Sequence, residues 1–163
     1  MAEVFASLGS NLNREHNIRS AVRALVSRFG SLKFSPVYLS KTVGFEGDDF
    51  LNLVVGFSSE LSPEAIHQQF RQIEDEHGRE RGQQKFSSRQ LDIDLILYDD
   101  LVQTNGSLIL PRKDIEQYAF VLKPLADLEP DGMHPVLHKT YAQMWCEYKG
   151  DRQLTVIDLQ FTD

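Results

Sequence analysis

The segment at residues 90–98, QLDIDLILY, alternates polar and apolar side chains too regularly for a helix. Its isoleucine, leucine and tyrosine content is typical of a β-strand, in which side chains two positions apart share one face. Asp92 and Asp94 are therefore predicted to point the same way, about 7 Å apart at their Cα atoms. The opposite face is apolar and is predicted to be core, and it carries Leu91, Ile93, Leu95 and Leu97.

Two ionised carboxylates on one face repel each other unless a cation lies between them or one of them takes a proton. Mg²⁺ is a hard divalent ion that prefers oxygen ligands, so it is the natural partner for Asp92 and Asp94. The alternative, for an isolated Asp-x-Asp pair, is an ordinary solvated strand face.

A basic segment lies directly before this strand. Residues 78–89 carry Arg79, Arg81, Lys85 and Arg89 against the single acid Glu80, among breakers and polar residues. Arginine forks bind phosphate oxygens, so a basic loop that leads into two metal-seeking carboxylates predicts a phosphate site. A solvated basic loop is the alternative. Neither common glycine-rich phosphate loop occurs in the sequence, so arginines and a metal would have to bind any nucleotide.

Composition narrows the classes of protein that the chain can belong to. With 17 basic and 24 acidic residues, the net charge of −7 argues against a general nucleic-acid or membrane-surface binder. The lone Cys146 excludes an internal disulfide and a multi-thiolate metal site. No apolar run is long enough to span a membrane and the first residues do not form a signal peptide, so a cytoplasmic location is expected. Residues 1–163 are predicted to form one domain.

The periodicity of the remaining sequence predicts short strands mixed with helices. Strands are predicted at 4–8, 32–39, 50–57, 90–98 and 154–161, a hairpin at 101–110, and helices at 14–30, 62–78, from 114 onward and at 141–148. This pattern indicates an α+β fold with helices packed on a largely antiparallel sheet.

Several short motifs occur together in a fixed order. They are LGSN at 8–11, VG at 43–44 with DFLN at 49–52, Glu74 with GRER at 78–81, RQLDIDLI at 89–96, LP at 110–111, FVLKPL at 120–125 and HP at 134–135. In this order the chain resembles the 6-hydroxymethyl-7,8-dihydropterin pyrophosphokinases of the folate pathway over essentially its whole length. Among these motifs, the R-x-x-D-x-D segment is the most specific part of the match.

The resemblance implies a ferredoxin-like sandwich and an enzyme that moves the terminal two phosphates of ATP, as one unit, onto the hydroxymethyl group of a reduced pterin. Asp92 and Asp94 would hold two Mg²⁺ ions that bridge the phosphates of the co-substrate ATP. Arg79 and Arg89 would contact the transferred group. The expected partners are the pterin and ATP, with no nucleic acid and no membrane.

The resemblance also implies two further sets of contacts. The nucleotide side would be formed by Glu74, Arg81, Lys85, Phe86, Arg112 and Tyr118. The pterin side would be formed by Ser40, Lys41, Thr42, Val43, Phe50, Asn52 and Phe120. Phe50 and Phe120 would sandwich the flat ring and Asn52 would hydrogen-bond its polar edge. For the two phenylalanines, plain core packing is the alternative, whereas an amide inside an apolar strand needs polar partners.

The chain departs from the family pattern at several positions. Ser87-Ser88 replaces a usual Gly-Pro, Phe86 replaces a usual Trp, and no Pro follows Thr42 in the first pterin loop. Arg112 stands where the family carries His, and Tyr118 where it carries an Arg that meets ATP phosphates.

The loss of one charge-assisted phosphate contact costs roughly 1.5–3 kcal/mol, which slows an enzyme without abolishing its chemistry. The sequence therefore predicts a working pyrophosphokinase that is slow or has an altered substrate preference. Two alternatives stay open: a non-catalytic relative that binds pterin or nucleotide as a sensor or partner, and a different Mg²⁺ enzyme that acts on phosphates.

Overall fold

The computed structural model describes residues 1–41, 49–78 and 91–161. These ranges contain six strands and five helices. Their bounds are β1 Ala2–Ser10, α1 Arg14–Phe29, β2 Lys33–Phe34, β3 Val37–Ser40, β4 Phe50–Ser59, α2 Pro63–Glu76, β5 Asp92–Tyr98, α3 Asp114–Gln117, α4 Ala119–Leu128, α5 Tyr141–Glu147 and β6 Thr155–Ile157. Within the described residues, every helix is too short or too polar to cross a membrane.

The strands form one sheet in the order β5-β1-β4-β3-β6, and β2 pairs with β4 beside this path. Each strand pairing that the structure describes is antiparallel. The succession β1-α1-β3-β4-α2-β5 is the β-α-β-β-α-β arrangement of ferredoxin-like folds. The predicted α+β class and ferredoxin-like sandwich are confirmed.

Both faces of the sheet are covered, because the strands alternate apolar side chains between two layers. Val4 and Leu8 of β1 pack with α1 and α2 in a first hydrophobic cluster. Phe5, one residue along, packs with α3, α4 and α5 in a second cluster on the opposite face. The two aspartates of β5 belong to the second face, since their neighbours Leu91 and Ile93 lie in the first cluster.

Strand β5 contains a bulge that the alternating sequence did not predict. Phe5 pairs with Leu97 whereas Ala6 pairs with Leu95, so Ile96 is an extra residue in the ladder. Leu97 therefore packs beside Ile96 in the second cluster. The prediction that Leu97 shares the core face of Leu95 is wrong, because a bulge shifts the alternation by one residue. The two aspartates precede the bulge and keep the predicted common face.

Several other predicted elements differ in extent. The strand predicted at 154–161 is reduced to β6, Thr155–Ile157. The strand predicted at 32–39 is split into β2 and β3 at Pro36, which lacks a backbone N–H. The hairpin predicted at 101–110 is reduced to one bridge between Gln103 and Leu110. The helix predicted from Asp114 is divided at Tyr118, whose backbone is extended.

A partly buried hydrogen bond attaches α4 to the sheet. The hydroxyl of Tyr38, on β3, donates to Asp127 Oδ2, and Lys123 Nζ donates to Asp127 Oδ1 at 2.7 Å. Burial and the nearby carboxylate raise the pKa of Tyr38 above its ordinary value, so the phenol stays protonated and keeps donating. This contact fixes the helix that also carries Phe120.

We predict that Tyr38→Phe lowers the free energy of unfolding by roughly 1.5–3 kcal/mol, because a hydrogen bond to the charged acceptor Asp127 is lost. Urea denaturation followed by circular dichroism measures the change. Tyr98→Phe is the matched control, since its hydroxyl donates to the Leu61 carbonyl at an exposed position. The control should lose less than about 1 kcal/mol. Equal losses in the two variants would contradict this account of the Tyr38 contact.

Candidate active site

Polar residues form a row across the second face of the sheet, at the end where β1 leaves it and where β4 and β5 enter it. Gly9 of β1 pairs with Asn52 of β4 on one side and with Asp92 of β5 on the other. In the next row Ser7 pairs with Asp94. Since strands lie about 4.8 Å apart, roughly 10 Å separates the backbones at Asn52 and Asp92. An amide and two carboxylates thus flank a short stretch of sheet.

Gly9 keeps the middle of this row free of a side chain. A Cβ atom at this position would lie 3.0 Å from Asn52 Oδ1 and 3.7 Å from the Phe50 ring. Any larger residue would therefore push against the amide and the ring. Gly9 itself is buried, so a glycine here allows Asn52 and Phe50 to pack closely over the sheet backbone.

The side chains of Asp92 and Asp94 are half-buried, and Ile93 between them is buried. Their predicted common face is thus confirmed. Among the described residues, no group of three or more His, Cys, Asp or Glu side chains could hold a metal ion. Two carboxylates nevertheless suit Mg²⁺, which proteins usually bind through one or two carboxylates together with substrate phosphates and water. The donor set fits the predicted ion in that form.

Glu74 supports the aspartates through the strand backbone. Its Oε2 atom accepts a hydrogen bond of 2.8 Å from the backbone N–H of Ile93, the residue between the two aspartates. Glu74 is buried on α2, which packs against the opposite face of the sheet from Asp92 and Asp94. The described contact gives Glu74 a role in positioning β5. The nucleotide contact that the resemblance implied for it stays a prediction.

Arg112 lies between two carboxylates. Its Nε atom is 3.1 Å from Asp114 Oδ2, and its Nη2 atom is 3.7 Å from Asp94 Oδ1. Its backbone N–H donates to the Ile96 carbonyl at 3.0 Å, which attaches this loop to β5. Burial alone would lower the pKa of Arg112, but the charges of Asp94, Asp114 and Asp92 outweigh it and raise that pKa above its ordinary value. A permanent cation is therefore placed beside the candidate metal ligands.

Tyr118 stacks on Phe120, with ring centroids 5.0 Å apart and planes inclined by 13°. Residues two apart on a helix point in different directions, so this stack requires a break in the helix. The extended backbone of Tyr118 provides the break, ending α3 and beginning α4. Burial and Asp114 raise the pKa of the Tyr118 hydroxyl, against the opposing effect of Arg112. Tyr118 thus connects the charged cluster to the ring predicted to face the pterin.

The predicted pterin side is also partly assembled. Asn52 is buried and its Nδ2 atom donates to Ser40 Oγ at 2.6 Å, which supplies one of the polar partners that the amide needs. Phe50 and Phe120 are half-buried, and Phe120 packs against the edge of the second hydrophobic cluster. Lys41 is exposed. Ser40 therefore accepts a hydrogen bond that holds the Asn52 amide in one orientation.

Several predicted residues lie outside the described residues. They are Thr42, Val43, Arg79, Arg81, Lys85, Phe86 and Arg89, together with the departures Ser87 and Ser88. Their predicted roles toward phosphates and pterin stay predictions.

Sequence reasoning missed two residues of the site. Asp114 is buried and contacts Arg112, and its signal was an acid two residues after an arginine at the start of a predicted helix. Gly9 was predicted only as part of the LGSN motif. Its pairing with Asn52 and with Asp92 places it in the middle of the row.

Comparison with known proteins gives a consistent result. The sequence model of one family, described as 7,8-dihydro-6-hydroxymethylpterin-pyrophosphokinase (HPPK), matches residues 5–130. A 2-amino-4-hydroxy-6-hydroxymethyldihydropteridine pyrophosphokinase of Aquifex aeolicus is 36% identical over 141 residues, covering 85% of this chain and 88% of the relative. A protein of the same name from Porphyromonas gingivalis is 38% identical over 141 residues, covering 83% and 95%.

Solved structures support the fold. A crystal structure of wild-type Plasmodium falciparum HPPK-DHPS with SDX-DHP superposes with a TM-score of 0.73 at 14% identity, covering 91% of this chain. The chain spans only 44% of that longer protein. At this level of identity the likeness concerns the fold alone.

We predict that Glu74→Ala lowers the free energy of unfolding by about 1–3 kcal/mol, because the buried N–H of Ile93 loses its acceptor. Glu74→Gln should retain most of the stability, since the amide oxygen can accept the same bond. Urea denaturation of both variants beside the parent chain provides the measurement. A loss in Glu74→Gln as large as that in Glu74→Ala would assign the effect to the charge and not to the hydrogen bond.

Proposed function

The chain belongs to the 7,8-dihydro-6-hydroxymethylpterin-pyrophosphokinase family, and on that premise we propose that it transfers pyrophosphate from ATP to 6-hydroxymethyl-7,8-dihydropterin in folate biosynthesis. The products are AMP and the pterin diphosphate. One observation carries the proposal: the sheet pairing brings Asn52, Gly9 and Asp92 into a single row. An amide for a heterocycle and carboxylates for a phosphate-bound cation thereby lie at the two ends of one short surface.

The pterin would lie at the Asn52 end of the row. Asn52 can both donate to and accept from the polar edge of the ring, and its bond to Ser40 fixes the orientation of the amide. Gly9 carries no side chain that would displace the Asn52 amide. Phe50 and Phe120 would supply the two aromatic faces, which favour stacking with a flat heterocycle.

The triphosphate would lie at the Asp92 end. Asp92 and Asp94 would hold two Mg²⁺ ions, which when bound neutralise phosphate charge and orient the group to be transferred. Arg112 supplies a cation at the same place. By resemblance, Arg79 and Arg89 would contact the transferred group and Arg81, Lys85 and Phe86 the nucleotide.

In the proposed reaction the hydroxyl oxygen of the pterin forms a bond to the β-phosphorus of ATP. The bond from that phosphorus to the oxygen it shares with the α-phosphate breaks, AMP leaves, and the hydroxyl proton is released. Transfers of this kind need little covalent chemistry from a protein, so positioning and charge balance dominate. The chain supplies both through the rigid row of sheet residues and the charged cluster at Asp94.

We also propose that residues 1–163 act as one domain in the cytoplasm. The two hydrophobic clusters share a single sheet, and the family match covers residues 5–130. The single cysteine, Cys146, is exposed and would stay a thiol in a reducing compartment.

Incubation of the protein with MgATP and 6-hydroxymethyl-7,8-dihydropterin, followed by chromatography of nucleotides and pterins, tests the function. We predict formation of AMP and the pterin diphosphate, lowered at least ~100-fold by Asp92→Asn and by Asp94→Asn, a loss of roughly 2.7 kcal/mol or more. Asp100→Asn is the matched control, because this exposed aspartate lies just beyond the far end of the same strand and should keep full turnover.

The same assay separates the alternatives. Pterin binding without AMP would identify a non-catalytic relative, and phosphate release without pterin would identify a hydrolase. Full turnover in either Asp92→Asn or Asp94→Asn would remove the proposed metal role of these carboxylates.

We predict that Tyr118→Leu weakens pterin binding by about fivefold to tenfold while ATP binding changes by less than about twofold, because the ring that supports Phe120 is lost. Tyr118→Phe keeps the stack and should bind pterin like the parent chain. Calorimetric titration with the pterin and with an ATP analogue gives the two affinities separately. Weaker ATP binding with unchanged pterin binding would place Tyr118 on the nucleotide side, as the sequence alone predicted.

A further inference from the structure

The break between α3 and α4 takes one backbone carbonyl away from its helical partner. In a continuous helix the Gln117 carbonyl would accept the backbone N–H of Val121, four residues on. That N–H instead donates to the Tyr118 carbonyl at 3.1 Å, and the backbone of Tyr118 is extended. Carbonyls at the end of a helix need donors from elsewhere in the fold or from water. The break is therefore stabilised by whatever group donates to Gln117.

Tyr148, which directly follows α5, supplies that donor. Its hydroxyl donates to the Gln117 carbonyl at 2.8 Å. Burial raises the pKa of Tyr148, and the backbone N–H of Ala119, which lies near the same hydroxyl oxygen, opposes that rise. A phenol can both donate and accept, so one hydroxyl serves the last residue of α3 and the first residue of α4. Tyr148 thus spans the break at Tyr118 from outside the two helices.

The ring of Tyr148 is held by its own neighbours. It stacks on Trp145, with ring centroids 5.7 Å apart and planes inclined by 15°. The Arg152 guanidinium lies over both rings, 4.6 Å from the Trp145 centroid and 6.0 Å from that of Tyr148. Arg152 Nε also donates to the Tyr148 carbonyl at 3.1 Å. Ring and backbone are both fixed, so the hydroxyl is directed at Gln117.

Gly150 provides the space that the phenol occupies. A Cβ atom at position 150 would overlap the Tyr148 hydroxyl oxygen and lie 2.6 Å from the ring carbon that bears it. Even a methyl group here would therefore force the end of the tyrosine side chain to move. Gly150→Ala is thus a way to displace the hydroxyl without changing the tyrosine. Both residues lie beyond the residues 5–130 that the family model matches.

We propose that Tyr148, seated against Gly150, is a positioning residue for the pterin. Its hydrogen bond to Gln117 holds the extended backbone at Tyr118. That backbone places the Tyr118 ring on Phe120, with the ring centroids 5.0 Å apart. Phe120 is thereby kept in the orientation in which it stacks on the heterocycle. The inference rests on the proposed function in one respect, that Phe120 faces the pterin.

Tyr148→Phe tests the proposal, because it removes the hydroxyl and keeps the ring that stacks on Trp145. Hydrogen exchange resolved by NMR is measured at the amides of Val121 and Leu122, which both donate to the Tyr118 carbonyl. Calorimetric titration gives the affinities for 6-hydroxymethyl-7,8-dihydropterin and for an ATP analogue whose α–β bridge is a methylene. We predict exchange about threefold to fivefold faster and pterin binding weaker by the same factor, because one solvent-accessible hydrogen bond is lost. Affinity for the analogue should change by less than about twofold, since the phosphate end of the row does not depend on this bond.

Gly150→Ala is the second variant and should repeat both changes. Combined with Tyr148→Phe it should have no larger effect than either substitution alone, because both act on one contact, whereas independent effects would multiply to about tenfold or more. Tyr141→Phe is the matched control. It removes a hydroxyl from the other end of α5, where the 3.4 Å contact is to the Met133 carbonyl, and should stay within about twofold of the parent chain in every measurement. Thermal unfolding of each variant checks the fold.

Exchange like that of the parent chain at Val121 and Leu122, in both Tyr148→Phe and Gly150→Ala, would overturn the inference. Faster exchange with unchanged pterin affinity would also overturn it, because Tyr148 would then support the fold alone. Turnover of the parent chain separates these failures from failure of the proposed function. If the parent chain binds the pterin but forms no AMP, the transfer reaction is wrong, and weaker pterin binding in the two variants would still support the role of Tyr148. If the parent chain turns over and both variants bind pterin as it does, only the inference about Tyr148 is wrong.

Discussion

The compensation of negative charge on a half-buried sheet face is the constraint on which the site depends. Asp92 and Asp94 lie beside the second hydrophobic cluster, where carboxylates without counter-charges would be unfavourable. Arg112 contributes to this compensation, because its guanidinium lies 3.7 Å from Asp94 and 3.1 Å from Asp114. On the other side of the strand, Glu74 accepts the backbone N–H between the aspartates and so determines where both carboxylates point. Charge compensation and strand geometry at the aspartates are therefore supplied from different layers of the fold.

The charged cluster continues into the aromatic part of the site without a gap. Asp94 contacts Arg112, Arg112 contacts Asp114, and the Asp114 carbonyl accepts the backbone N–H of Tyr118 at 3.0 Å. Tyr118 in turn stacks on Phe120. A movement of the Arg112 guanidinium can therefore alter the position of Phe120, the ring proposed to face the pterin. Such a chain of contacts provides a physical route by which the nucleotide and pterin ends of the row influence each other.

Periodicity predicted most of the fold because the first half of β5 alternates, β1 and β4 are apolar runs bounded by polar residues, and each main helix has a single buried stripe. The periodicity gave a wrong prediction where the local backbone departs from a regular strand or helix. In β5 the run Leu95-Ile96-Leu97 is uniformly apolar, so the sequence carries no mark of the bulge that moves Leu97 to the other face. The helix break at Tyr118 accompanies the stacking of Tyr118 on Phe120. Residues two apart do not share a helix face, so helical periodicity does not predict this contact.

The same limit applies to the site. The sequence indicated Asp92, Asp94 and Asn52 because a polar side chain in an apolar strand is informative by itself. The role of Gly9 is different, because it follows only from strand register, which places the glycine between Asn52 and Asp92. Arg112 and Tyr118, read from the sequence as two separate departures, become one rearrangement in the structure. A permanent cation stands at 112 and an aromatic ring at 118, so the site keeps one arginine while Phe120 gains a stacking partner. Because Asp114 contacts the first residue and accepts the backbone N–H of the second, the two substitutions share a partner and their energetic effects should not be independent.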